Sequence, residues 1–192
     1  YELYLWESSQ KNSKLILDTD SSPDGYKVSR YGNIKFSKNE SKLYFGLGLP
    51  EIVQDTLLLD EEIVNVEVWT YDEPRLYTVQ EKQIENDIKK SFQTVYHIKD
   101  DKLIQIATKE FPNALLSNEG NGDYALISNP EPYQLSSQWT ALFSMNDLAV
   151  MNINNGNSKI VIKSNPSTAR FSPEGEYAFG YNQVDSTWYT YN

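Results

Sequence analysis

Thr168-Ala169-Arg170-Phe171-Ser172-Pro173-Glu174-Gly175-Glu176-Tyr177-Ala178-Phe179 is the stretch that decides the fold. A short apolar run ends in a serine, a polar turn follows, and a second apolar run begins. The phrase occurs twice more. Asn33-Ile34-Lys35-Phe36-Ser37 leads into Lys42-Leu43-Tyr44-Phe45, and Ala114-Leu115-Leu116-Ser117 leads into Asp123-Tyr124-Ala125-Leu126-Ile127. Two apolar runs joined by a loop holding Gly, Asn or Pro predict a β-hairpin. Hairpins that recur at long spacing predict a repeat architecture.

A second hairpin type alternates with the first. Its leading strand is Glu2-Leu3-Tyr4-Leu5-Trp6, Thr94-Val95-Tyr96-His97-Ile98, Leu148-Ala149-Val150-Met151-Asn152-Ile153 and, at the end, Thr187-Trp188-Tyr189-Thr190-Tyr191. Its trailing strand is Lys14-Leu15-Ile16-Leu17, Lys102-Leu103-Ile104-Gln105-Ile106 and Lys159-Ile160-Val161-Ile162. The turns Lys99-Asp100-Asp101 and Asn154-Asn155-Gly156-Asn157 suit residues with positive φ. Two hairpins in sequence make a four-stranded antiparallel sheet, and a row of such sheets is how β-propeller blades are built.

The expected fold is therefore all-β: a β-propeller fragment of four-stranded antiparallel blades with one short helical insertion. Residues 1–20 read as the latter half of a blade, 31–107 as a blade with a helix near 78–90, 113–163 as a second blade, and 167–192 as an incomplete blade. The serines are unevenly spaced, so the blades carry insertions, between Gly46 and Phe92 and between Asn129 and Asp147. The chain opens and closes inside strand-like runs, which predicts a piece of a longer protein. Cut blades leave unpaired edges, which predicts one of two outcomes: the terminal strands near Leu3-Tyr4-Leu5-Trp6 and Trp188-Tyr189-Thr190-Tyr191 come together in one sheet within a chain, or, as the favoured reading, two chains pair their open edges in a homodimer.

Of the 192 residues, 39% are hydrophobic, enough to bury a sizeable core. The net charge of −10 repels phosphate backbones and argues against nucleic-acid partners. No apolar run approaches the ~20 residues that span a bilayer as a helix. Without cysteine there is no disulfide, thiolate metal site or cysteine nucleophile. The 14 tyrosines and 4 tryptophans suit half-buried strands.

Glu73 to Ser91 breaks the period-two pattern. Val79, Ile84 and Ile88 fall near one side of a helix, Glu85 and Lys89 form a favourable i,i+4 pair, and Pro74 suits a first turn. This predicts the helix over residues 78–90. Ahead of it, Val64 to Thr70 alternates like a strand. The insertion reads either as a loop covering a blade edge or as a cap or contact surface.

A search for catalysis finds no constellation. The single histidine, His97, lies inside a predicted strand, where it reads as structural. There is no Gly-x-Ser-x-Gly elbow, His-Glu-x-x-His phrase or P-loop. Gly46-Leu47-Gly48 lacks the third glycine of a dinucleotide fingerprint and reads as a strand end. Asp60-Glu61-Glu62 and Asp72-Glu73 could hold a cation or amine, but such runs usually face solvent. Asn39-Glu40-Ser41 matches a glycosylation sequon inside a hairpin turn. No catalytic, cofactor-binding or metal-binding residue is assigned, and no cofactor is implied.

The phrase Phe171-Ser172-Pro173-Glu174-Gly175-Glu176-Tyr177 resembles the hairpin phrase of propellers in the prolyl oligopeptidase family of serine peptidases and of TolB-type propellers. Val66-Glu67-Val68-Trp69-Thr70-Tyr71-Asp72-Glu73-Pro74, followed by a charged helix and Thr94-Val95-Tyr96-His97, resembles bacterial peptidases of that family. The likeness is greatest to Bacteroidetes members of the dipeptidyl-peptidase and acylaminoacyl-peptidase type. Gly122-Asp123-Tyr124-Ala125, Glu131-Pro132-Tyr133-Gln134 and Trp188-Tyr189-Thr190-Tyr191 are similar to the same proteins.

That resemblance implies a propeller followed by a C-terminal α/β-hydrolase domain, which carries the catalytic Ser, Asp and His. None of those motifs occurs here, so this chain is expected to be non-catalytic. Its expected role is to admit short peptide substrates to the hydrolase domain. The alternative is a TolB-like module for protein–protein binding without enzymatic activity. The resemblance favours a periplasmic or secreted location.

Overall fold

A computed structural model of the chain describes residues 1–51, 70–140 and 144–192. Four antiparallel sheets follow one another along the chain. The first pairs β1 (Leu3–Leu5) with β2 (Lys14–Leu17). The second holds β3 (Lys27–Val28), β4 (Lys35–Phe36), β5 (Lys42–Gly48), β6 (Phe92–His97) and β7 (Lys102–Gln105). The third is a meander of β8 (Asn113–Leu116), β9 (Tyr124–Asn129), β10 (Asn146–Asn152) and β11 (Ser158–Asn165). The fourth joins β12 (Arg170–Phe171), β13 (Ala178–Asn182) and β14 (Thr187–Tyr191). In the second sheet the leading strand is split: β3 and β4 pair with opposite ends of β5.

The recurring serine explains the hairpins atom by atom. In each copy the amide three residues on, at Glu40, Gly120 or Gly175, donates to the serine carbonyl at 2.9 Å. The serine amide donates to the carbonyl of a residue at the start of the return strand, Lys42 or Tyr124, or just before it, Tyr177. That same residue's amide donates back to the serine Oγ, at 3.0, 3.4 and 3.1 Å. The third position has positive φ in all three copies: 57° at Glu40, 88° at Gly120 and 79° at Gly175. A side-chain hydroxyl thus closes each turn, as Ser does where the chain must reverse.

Period two then sorts side chains onto two faces of each sheet. From β5, Leu43, Phe45 and Leu47 face the first sheet, where they cluster with Leu3, Leu5, Leu17 and Tyr96. Tyr44 points the other way, into a cluster with Val95 and Ile106 and with Ala125, Ile127, Ala149, Met151 and Ile153 of the third sheet and its turn. The opposite face of the third sheet offers Leu126 and Leu148, which pack with Ala178 of the fourth. Each sheet therefore lies face to face with the next, and each junction has its own apolar core. Antiparallel meanders stacked in this way are blades of a β-propeller.

Helix α1 (Tyr77–Ile88) connects β5 to β6, close to the 78–90 expected from the sequence. A second helix, α2 (Gln134–Thr140), follows a 3-10 turn at Glu131–Tyr133 in the connection from β9 to β10. The sequence identified that connection only as an insertion, since seven residues carry too little periodicity to reveal a helix. The predicted strand at 64–70 lies almost wholly outside the described residues.

One expectation about the repeats needs correction. Phe36, Leu116 and Phe171 occupy equivalent positions in the three hairpins, and the repeat pattern alone predicts that all three are buried between blades. Leu116 and Phe171 are half-buried, and Phe36 is 44% exposed. The two-residue β4 pairs only with β5 and stands at the sheet edge, so it has little to bury against. Burial falls instead on the neighbouring turn serines Ser37 and Ser117.

Candidate functional site

The strands reverse at two ends. At the serine-turn end, the second and third sheets are joined by a buried polar group. Lys42 is buried, and its Nζ donates to the carbonyls of Asn121 at 3.0 Å and Gly122 at 2.7 Å, with the Asp123 carboxylate at 3.4 Å. The Tyr44 hydroxyl donates to the Gly120 carbonyl at 2.7 Å, and burial pushes its phenol up from the ordinary value. The Asn39 amide donates to Asn121 Oδ1 at 2.9 Å. A hydrogen bond from Asn154, then the nearby Lys42 ammonium, hold the Asp123 carboxyl below the usual range against partial desolvation.

His97 belongs to this group. Its imidazole is buried, and Nε2 donates to the Ile153 carbonyl at 2.8 Å. The chain's one histidine is thus committed to fixing the third sheet's turn against the second sheet. A buried polar network of this kind specifies register when its members are satisfied. Lys42, the residue that sequence reasoning missed, looks in the sequence like any polar residue opening a strand.

The first and second sheets have a smaller counterpart. Lys14 Nζ lies 2.8 Å from Asp101 and donates to the Tyr96 hydroxyl at 3.0 Å, while that hydroxyl donates to Asp101 at 2.7 Å. The Lys14 hydrogen bond lowers the Asp101 carboxyl, and burial raises the Tyr96 phenol.

The opposite end carries both insertions. Arg75 clamps α1 through Asp87, at 2.7 and 3.2 Å, and Gln83, at 2.9 Å. Gln80 Nε2 donates to the Arg75 carbonyl at 2.8 Å. The two insertions meet where Gln138 Nε2, on α2, donates to the Pro74 carbonyl at 2.7 Å. Below α2, Tyr133 donates to Asp147 at 2.5 Å, and the Ser164 amide donates to both. Ile84 and Ile88 on α1 are exposed, while Val79 on the same side is half-buried.

Near this end, a cavity of about 290 Å³ lies beside Arg30, whose guanidinium sits over the rings of Tyr31 and Tyr1 and donates to both hydroxyls. Phe36 of β4, Ile34 just before it and Leu115 of β8 are exposed.

Other residues singled out from the sequence stay apart. Gly46 and Gly48 lie within β5. Asp72 and Glu73 are exposed, Gln80 reaches Glu73 only at 3.5 Å, and Asp60-Glu61-Glu62 lies outside the described residues. Asn39 Oδ1 accepts from Ser37, from Ser41 Oγ and from the Ser41 amide, which makes it turn chemistry. Among the described residues no group of three or more His, Asp or Glu side chains could hold a metal ion, and no helix is long and apolar enough to cross a membrane.

No family model matches the chain, and no curated protein matches it. Among solved structures, the chain is similar to TolB from Acinetobacter baumannii, with 15% identity and a TM-score of 0.30. The match covers 93% of this chain and 42% of the TolB chain.

Proposed function

We propose that the chain is a non-catalytic propeller portion of a prolyl-oligopeptidase-like serine peptidase, which admits short peptides to a hydrolase domain. The observation that carries the non-catalytic part is the commitment of His97. A Ser-His-Asp triad needs an imidazole free to take the nucleophile's proton. The one imidazole of this chain is buried, and its Nε2 is held by the Ile153 carbonyl. On this reading a Ser-His-Asp triad would be supplied by residues outside this chain.

The phrases around Trp69 to Pro74 and around Ser172 support the peptidase context. Exposed Ile34 and Phe36 at the leading edge of the second sheet offer an extended peptide an apolar surface. The test has two arms. A fluorophosphonate probe is expected to leave every serine unlabelled, and stoichiometric labelling would overturn the non-catalytic reading. Calorimetric titration with unstructured short peptides is expected to show binding that Phe36→Ser weakens. Binding that is absent, or indifferent to Phe36→Ser, would overturn the gating role.

A second reading is a TolB-like module that binds a folded protein. It is favoured by the exposed Ile84 and Ile88 on α1. Capture of a folded partner that Ile84→Asp abolishes, with no short-peptide binding, would select it.

A further inference from the structure

The sequence contains two Asn-Gly pairs, Asn121-Gly122 and Asn155-Gly156. Both carry the same latent chemistry. A backbone amide nitrogen can attack the side-chain carbonyl carbon of the residue before it, and glycine, with no Cβ, leaves that approach unhindered. The sequence does not distinguish the two pairs; the fold does.

Asn121-Gly122 is clamped at the junction between the second and third sheets. The Asn39 amide donates to Asn121 Oδ1 at 2.9 Å, and Lys42 Nζ donates to the carbonyls of Asn121 at 3.0 Å and Gly122 at 2.7 Å. Gly122 lies so close to Ser117 that an added Cβ would collide with the serine side chain. The Gly122 amide itself donates to the Ser117 carbonyl at 3.3 Å. Swinging the Asn121 side chain over that amide breaks its bond from Asn39 and pulls against the two from Lys42.

Asn155-Gly156 forms the tip of the turn between β10 and β11. Asn155 is exposed, and its Oδ1 accepts from the Asn157 amide at 2.9 Å. That bond reaches two residues ahead, so it bends the Asn155 side chain back along the turn past the Gly156 amide and draws electrons from the side-chain carbonyl carbon. The Gly156 amide donates to the Asn152 carbonyl at 2.9 Å, a bond in a surface turn that opens without disturbing a sheet. Around Gly156 there is room: an added Cβ would meet nothing nearer than 3.8 Å.

We propose that Asn155 is a site of spontaneous covalent modification in the folded chain, converted to aspartate and isoaspartate while Asn121 stays intact. The Gly156 nitrogen forms a bond to Asn155 Cγ and gives up its proton, which passes through solvent to Nδ2. The Cγ–Nδ2 bond breaks and ammonia leaves, closing a succinimide ring. Water then adds to one of the two ring carbonyls and opens the ring. Opening on one side gives aspartate. Opening on the other gives isoaspartate, in which the main chain runs through Cγ. No atom is oxidised or reduced, and water is the sole co-reactant.

The product bears on the junction between the second and third sheets. Asn154, the neighbour of the modified residue, hydrogen-bonds Asp123, and its carbonyl accepts from Lys102 Nζ at 2.7 Å. The turn is closed by the Asn152 amide, which donates to the Asn157 carbonyl at 2.8 Å. Isoaspartate inserts a further backbone carbon between Asn154 and Asn157 and places a carboxylate at the tip, so these contacts are expected to loosen.

The test is incubation of the intact chain in mildly alkaline buffer, followed by peptide mass mapping. Each conversion adds about 1 Da, because ammonia leaves and water enters. In the folded chain Asn155 is expected to convert at least about tenfold faster than Asn121, the factor set by a hydrogen bond that must first open at Asn121. In concentrated urea the two are expected to convert at similar rates. Equal rates in the folded chain, faster conversion of Asn121, or no mass gain at Asn155 would overturn the proposal. A preference that persists unchanged in urea would overturn it too, by assigning the difference to local sequence. Gly156→Ala is expected to slow conversion of Asn155, and an undiminished rate would overturn the succinimide route in favour of direct hydrolysis by water. The aged chain, separated by its added negative charge, is expected to unfold at lower urea than the fresh chain. Equal midpoints would overturn the effect on the junction.

Discussion

The junction between the second and third sheets and the junction between the third and fourth use equivalent positions for different physics. At the first, Lys42 and Tyr44 of β5 reach across to the carbonyls of Asn121, Gly122 and Gly120. At the second, register puts Tyr124 and Leu126 in the places of Lys42 and Tyr44, and the contact is an apolar cluster around Leu126, Leu148 and Ala178. Beside that cluster a cavity of about 370 Å³ opens between Tyr124, Phe171, Glu176 and Tyr191. Apolar packing alone brings two sheets together with little preference for one register. Buried hydrogen bonds add that preference, because any slip leaves a buried donor or acceptor unpaired.

Lys42→Ala is the sharpest way to break the pinned junction. It strands two carbonyls and the Asp123 carboxylate, and is expected to cost about 2–3 kcal/mol, less than a fully buried pair because Asp123 is partly exposed. Tyr124→Ala, at the equivalent position of the apolar junction, is expected to cost about 1 kcal/mol, the centre of ordinary point substitutions. Urea unfolding of both variants measures the difference, and equal losses would remove the contrast.

The next largest effect lies in a contact that the two junctions share. Gly120 packs on the Tyr44 ring and Gly175 on the Ser117 side chain, where an added Cβ would lie 2.9 and 2.8 Å from the nearest atom. Both glycines have positive φ, so each Gly→Ala is expected to cost at least about 1–2 kcal/mol from the left-handed backbone alone. Losses above that backbone cost at both positions would show that a tight glycine-turn contact is common to both junctions; an excess at only one would show that it is not.

Acid should weaken the pinned junction selectively. The Asp123 carboxyl is held below its ordinary range in the folded chain. A depressed folded value gives stability that is present above the unfolded value of about 3.9 and disappears as pH falls through the folded one. Denaturant midpoints at pH 7 and pH 3 should therefore differ less in Asp123→Asn than in the wild type. Asp101, lowered by Lys14, supplies an acid-sensitive background that Asp123→Asn leaves in place.

The smallest effect is expected away from both junctions. Lys89 pairs with Glu85 on the exposed side of α1 at 3.2 Å, with both side chains largely in solvent. Lys89→Ala should change stability by no more than about 0.5 kcal/mol, the usual range for an exposed i,i+4 pair. A larger loss would mean that α1 supports the sheets, which its lack of buried residues argues against.

The hairpins were legible because their signals are local. Ser37, Ser117 and Ser172 close turns whose donors and acceptors lie within seven residues, so the phrase carries its own geometry. Helix α1 was legible for the same reason, within two residues at each end. Helix α2 was not, because it is short and follows the turn at Pro130-Glu131-Pro132. The structural role of His97 could be read from its place in a strand, but not its partner, the Ile153 carbonyl, 56 residues away.

By itself the sequence determined the alternation of two hairpin types, the turns with positive φ at Asp101 and Gly156 and the placing of the insertions. Only the tertiary structure decided that Lys42 is buried while Phe36 is exposed, that Gln138 of one insertion reaches Pro74 of the other, and that Trp6 and Trp188 are exposed. A turn is specified by hydrogen bonds that a few neighbouring residues make among themselves. The burial of a side chain depends on which sheet stands opposite it, and here that sheet is supplied by residues some 80 positions away.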